Sequence, residues 1–178
     1  MDPINAACAA CLLVVFGVAA IGKSRNAAAF WAFSRSLKDF NLIPDSWVGP
    51  CAFAVVCCEA TAAALLMATP FSPGLGAAGF LLSAGLLAAF ATGISRVVIQ
   101  GRQVNCRCFG TAKRPLGVRH ILRNVGLTVV ALAGAVATTG TPCVQWAELL
   151  VCACAGGLTG GLAVVLDDLV DLFRPARR

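Results

Sequence analysis

The stretch Gly74-Leu-Gly-Ala-Ala-Gly-Phe-Leu-Leu-Ser-Ala-Gly-Leu-Leu-Ala-Ala-Phe-Ala-Thr-Gly-Ile-Ser95 carries no charged residue, with Pro70-Phe-Ser-Pro73 before it and Arg96 after it. As a helix it would rise about 33 Å, enough to cross the ~30 Å hydrocarbon core of a bilayer. Working outward, four more segments have that character: Ile4–Gly22, Pro50–Thr69, Ile121–Thr139 and Leu149–Leu166. The two prolines of Pro70–Pro73 interrupt any helix between the second and third spans. The sequence therefore predicts an all-α polytopic membrane helix bundle with five spans. A chain that is 59% hydrophobic and 12% charged has too little polar surface for a water-soluble globule of this size.

The cations give the spans a direction. Lys23, Arg25, Arg35 and Lys38 form one cluster, and Arg96, Arg102, Arg107, Lys113, Arg114, Arg119 and Arg123 a second. Arg174, Arg177 and Arg178 end the chain. The links Pro70–Pro73 and Gly140–Trp146 carry no Lys or Arg. With five spans, all three basic segments fall on one side and both uncharged links on the other. The positive-inside rule then predicts a multi-pass plasma-membrane protein, its N-terminus outside and its C-terminus cytoplasmic. The net charge of +6 is accounted for by that bias and by anionic headgroups, not by nucleic acid. The first span follows Asp2 and precedes its cations, the pattern of a retained anchor rather than a cleaved signal.

Phe30, Phe33, Leu37 and Phe40 recur at helical spacing, with Arg35, Lys38 and Asp39 on other faces. Residues 27–40 read as a short amphipathic helix, either lying in the interface or capping the bundle. Gly156, Gly157, Gly160 and Gly161 place small residues four apart in the last span, favouring close helix contact within the chain or between two copies as a homo-oligomer.

The segment between the third and fourth spans, residues 96–120, holds Gln103-Val-Asn-Cys-Arg-Cys-Phe-Gly110. Thiols one residue apart can close only a strained, readily reduced ring. Arg107 between Cys106 and Cys108 stabilises the thiolate, the nucleophile of disulfide exchange. Two reduced cytoplasmic thiols are the plain alternative, and two soft ligands for Cu(I) or Zn another. Cys57 and Cys58 precede Glu59 in the second span and are candidate second-stage thiols, or packing residues. Glu59 is the one acid well inside an apolar span; it serves as a proton relay or pairs with Lys23 or Arg123. Cys8, Cys11 and Cys143 fall toward the outer end as a candidate exofacial set, and Cys152 and Cys154 read as packing. His120, alone of its type, reads as an interfacial residue.

With Cys106, Cys108, Phe109 and Gly110 after the third span, the chain resembles the MauE family, distantly related to DoxX-like four-helix bundles. Lys23, Leu42-Ile43-Pro44, Glu59 and Arg123-Asn124 add to the likeness, which covers about residues 4–139. The resemblance implies a four-helix core over 1–140, with 141–178 as a fifth span and basic tail. It implies a helper in the maturation of an exported client, working with a thioredoxin-like protein. Cys106 and Cys108 would be the exchanging pair, and a quinone is a candidate acceptor.

The topology is open to direct measurement. Green fluorescent protein fused after Arg178 is expected to fluoresce, and the same reporter inserted at Gly140–Trp146 to stay dark; the reverse pattern would invert the topology.

Overall fold

The computed structural model describes residues 2–101, 117–138 and 146–172, with side chains to residue 165. Six helices follow one another: α1 Pro3–Ser24, α2 Ala27–Asp39, α3 Asp45–Met67, α4 Pro73–Ile99, α5 Val118–Ala137 and α6 Trp146–Leu172. No strand occurs among the described residues. All but α2 are long and apolar enough to span a bilayer, which makes this a multi-pass membrane bundle.

Local chemistry sets the helix ends. Asp2 caps α1 by accepting from the Ile4 amide at 2.8 Å, and Pro3 fills the first position, where no amide donor is needed. Asn26 caps α2 by accepting from Ala29 at 2.8 Å. The helix α3 begins at Asp45, five residues before the start expected at Pro50. Pro44 precedes it, Asp45 suits the positive end of the helix dipole, and Pro50 in the second turn removes one hydrogen bond without ending the helix. Past the end of α4, Gly101 takes φ +66°, a left-handed conformation that glycine adopts without penalty.

The helix α1 is the hub, packing against α2, α3, α5 and α6. More than half of its apolar window, 56%, is buried, against 39% for α4 and 11% for α6. Leu12, Val15 and Phe16 of α1 meet Ala62 and Leu66 of α3, Phe80, Ala84 and Leu87 of α4, and Leu127 and Ala131 of α5. In lipid such contacts are held by close packing, because an exposed Leu is already in apolar solvent. Polar groups are satisfied locally: Ser83 donates to the Gly79 carbonyl at 2.8 Å and Ser95 to that of Ala91 at 2.7 Å. Asn5 donates across helices to the Gly134 carbonyl at 3.0 Å, joining α1 to α5.

Glycine governs the closest approaches. Gly79 lies against the backbone of Leu65 and Leu66, closing the α3–α4 hairpin. Gly156 and Gly160 of α6 sit against the carbonyls of Ala7 and Cys11 in α1, so the two helices run parallel and in register. These two of the four expected glycines are thus used inside the chain. Gly157 and Gly161 have nothing within 4 Å of a Cβ.

Substitution separates the two glycine pairs. A Cβ on Gly160 would meet backbone that cannot yield, so Gly160→Ala is expected to cost about 1–3 kcal/mol. Gly157→Ala is expected to be neutral or to stabilise by up to ~1 kcal/mol. Thermal unfolding of both variants in detergent checks the difference.

Candidate functional site

Lys23 occupies the last turn of α1, where an ammonium would ordinarily reach for headgroups or water. Here it turns inward. Its Nζ forms an ion pair with Oε1 of Glu59, with side-chain exposures of 3% and 2%. Of the two partners the sequence allowed for Glu59, Lys23 is the one it takes. The ring of Phe33, from α2, lies over the ammonium with its centroid 4.7 Å from Nζ. The ring of Phe90, from α4, flanks it at 5.5 Å. Four helices therefore each supply one group: α1 the cation, α3 the anion, α2 and α4 the aromatic faces.

The electrostatics explain the construction. Removing two charges from water costs several kcal/mol per ion, recovered only through close pairing and additional favourable contacts. Ring quadrupoles provide such contacts on sides of the ammonium the carboxylate does not cover. The second carboxylate oxygen, Oε2, is buried with no hydrogen-bond partner among the described residues. The amphipathic helix α2 holds Phe33 in place. It packs its Phe33 and Phe40 side on the bundle, where Phe40 joins Ile94 and Val97 of α4. One face of α2 therefore packs on the bundle. The opposite face of α2 remains exposed.

The other candidates distribute unevenly. Cys57 lies two residues before Glu59, about 200° around the helix, and is exposed while Glu59 faces inward. Cys58 and Cys51 are half-buried. Cys8 is half-buried and Cys11 buried on α1, at the end of the bundle away from Lys23. His120 and Arg123 open α5 at the Lys23 end. Cys106, Arg107 and Cys108, like Cys143, lie outside the described residues. The chain leaves α4 at Ile99 and re-enters α5 at Val118, so both attachments of the Cys106 segment are at the basic end. Phe33 and Phe90 were not singled out as site residues from sequence. The demand of a buried Glu59 for a cation, and of that cation for aromatic faces, is the signal that points to them.

Five spanning helices, with a buried, ring-flanked ion pair held among α1 to α4, define a multi-pass membrane protein with a polar centre toward one end of its bundle. The chain belongs to the MauE family: the family model described as "Methylamine utilisation protein MauE" matches residues 1–137, leaving α6 outside the match. It is thus a MauE-family membrane protein involved in methylamine utilisation. No curated protein and no solved structure matches it.

The ion pair makes a thermodynamic prediction. Glu59→Gln leaves a buried ammonium without its counter-charge and is expected to cost about 3–5 kcal/mol, whereas Lys23→Met/Glu59→Leu should recover most of that loss. Equal destabilisation of the single and double variants in detergent melts would show that the charges are not coupled.

Proposed function

We propose that the protein is a thiol–disulfide exchange protein that assists maturation of an exported client, with Cys106 and Cys108 as its exchanging pair. The observation that carries this reading is the Lys23–Glu59 centre, at the end of the bundle where α4 and α5 deliver the Cys106 segment. A charged group inside a span is a functional candidate by default, and this one lies in the matched residues with Cys106 and Cys108. Arg107 favours the thiolate form of its neighbours. The N-terminus is outside, and the Cys106 segment and C-terminus face the cytoplasm of a cell whose plasma membrane holds the chain.

The chemistry balances as exchange. The disulfide of a thioredoxin-like partner is attacked by one thiolate of the pair; the mixed disulfide resolves on the second, giving Cys106–Cys108 as a disulfide and the partner as a dithiol. Two electrons and two protons have moved to the partner. A dithiol of the client, met on the cytoplasmic side before its export, then reduces the pair by the same two steps. Glu59, with one carboxylate oxygen unpartnered, is suited to hold a proton during exchange, and Cys57 or Cys58 to serve as a second-stage thiol. A quinone bound near the same end would accept the two electrons and two protons in place of the partner disulfide. Lys23 could donate to a carbonyl oxygen of such a quinone, and Glu59 could accept from the hydroxyl formed on its reduction.

Thiol trapping with an alkylating mass tag in native membranes tests the reading. An oxidised Cys106/Cys108 fraction is expected, changing when the thioredoxin-like partner is deleted, and Cys106→Ser should abolish client maturation. The Lys23→Met/Glu59→Leu variant should slow exchange by about 10²-fold if Glu59 relays the proton. Thiols that stay fully reduced, together with maturation unaffected by Cys106→Ser, would leave the chain as a scaffold. Cu or Zn that purifies with the protein and is lost in Cys106→Ser would make it a metal site.

A further inference from the structure

We propose that the outward face of α2 is a docking surface for anionic phospholipid headgroups, which hold the helix down over the Lys23–Glu59 centre. The inference is independent of the chemistry at Cys106. Trp31, Arg35 and Lys38 follow one another at steps of four and three residues, so they form a single stripe along the helix. All three are exposed, Trp31 to 57%. The stripe lies opposite Phe33, the residue that roofs the ion pair, so whatever holds the stripe also holds the roof.

Charge and aromatic placement choose the occupant. Arg25, Arg96 and Arg119 are exposed at the same end, where Asp39 in α2 and Asp45 at the start of α3 are exposed acids. Lys38 reaches Asp45 at 2.8 Å, but both side chains stay more than half exposed, which leaves the ammonium open to a second oxygen. Cations outnumber acids on a surface that, in a membrane protein, meets a leaflet edge. Such a surface complements phosphate-bearing lipids. Trp31, and Trp47 at 60% exposure in the first turn of α3, are poorly placed in bulk water. An indole at the end of a span prefers the headgroup layer, where its ring is desolvated and its N–H still bonded. A protein partner would find the same tryptophan and arginine attractive. The confinement of every exposed cation among the described residues to this one end of the bundle favours the leaflet, which is continuous there.

The test uses the full chain with Trp47→Phe and Trp146→Phe, leaving Trp31 as the sole tryptophan. The protein is reconstituted into vesicles of phosphatidylcholine alone or of an equimolar mixture with phosphatidylglycerol. In the anionic vesicles Trp31 emission is expected to shift to the blue, and its quenching by acrylamide to fall about twofold or more. High salt should reduce the difference, because the attraction is screened over about a Debye length. Arg35→Gln leaves the Lys38–Asp45 bridge in place and should remove much of the difference, which Arg35→Lys should restore. Equal quenching of Trp31 in both kinds of vesicle would overturn the proposal and assign the stripe to a protein partner or to water. So would a lipid effect indifferent to salt and to Arg35.

Discussion

An ammonium and a carboxylate enclosed among apolar helices must meet each other, and this requirement organises one half of the molecule. Lys23 cannot lie at the end of α1 with its charge buried unless Glu59 of α3 reaches it, so the two helices have one rotational setting and one register. The aromatic faces extend the constraint to α2 and α4. That is why the chain turns back on itself immediately after α1: the helix that follows must bring Phe33 over the charge. A pair of ions in lipid contributes little net stability compared with a well-packed apolar pair. Its effect is specificity, because every other arrangement of these helices leaves a charge alone.

The other half of the bundle is organised by closeness rather than charge. Glycines at 79, 156 and 160 let backbones approach where a methyl group would not fit, and Gly134 makes room for Phe80 in the same way. The cross-helix bond from Asn5 to the Gly134 carbonyl adds direction to that packing. Charge at one end and small residues at the other divide the work of fixing the helices around α1.

Much of this was legible beforehand, and for a physical reason. Five apolar segments set the number of the spans, and complete segregation of the cations leaves few ways to thread them. The parallel run of α1 and α6 agrees with that threading. Helix ends were less legible: Pro50 looked like a boundary, but one missing amide bond in a second turn does not stop a helix already begun at Asp45. Glu59 announced that it needed a cation without saying which, since Lys23 and Arg123 both occur at the basic end of a span. Only the three-dimensional path of α1 decides it. The two faces of α2 were visible as a periodicity, but periodicity does not say which face meets protein. Cys106 and Cys108, the residues with the clearest chemistry in the sequence, lie outside the described residues, so their part in the site rests on sequence and on where α4 and α5 end.

The parallel seating of α6 on α1 also bears on how the molecule is made. Ribosomal synthesis delivers α1 first and α6 last, so the hub helix enters the bilayer before its most extensive neighbour exists. Until then the face bearing Ala7 and Cys11 is open to lipid, to the insertion machinery or to another polypeptide. Closure over that face of α1 thus waits for α6, and a nascent chain stalled before Trp146 would hold five helices with that face uncovered. Biogenesis, on this view, includes a late glycine-to-backbone closure.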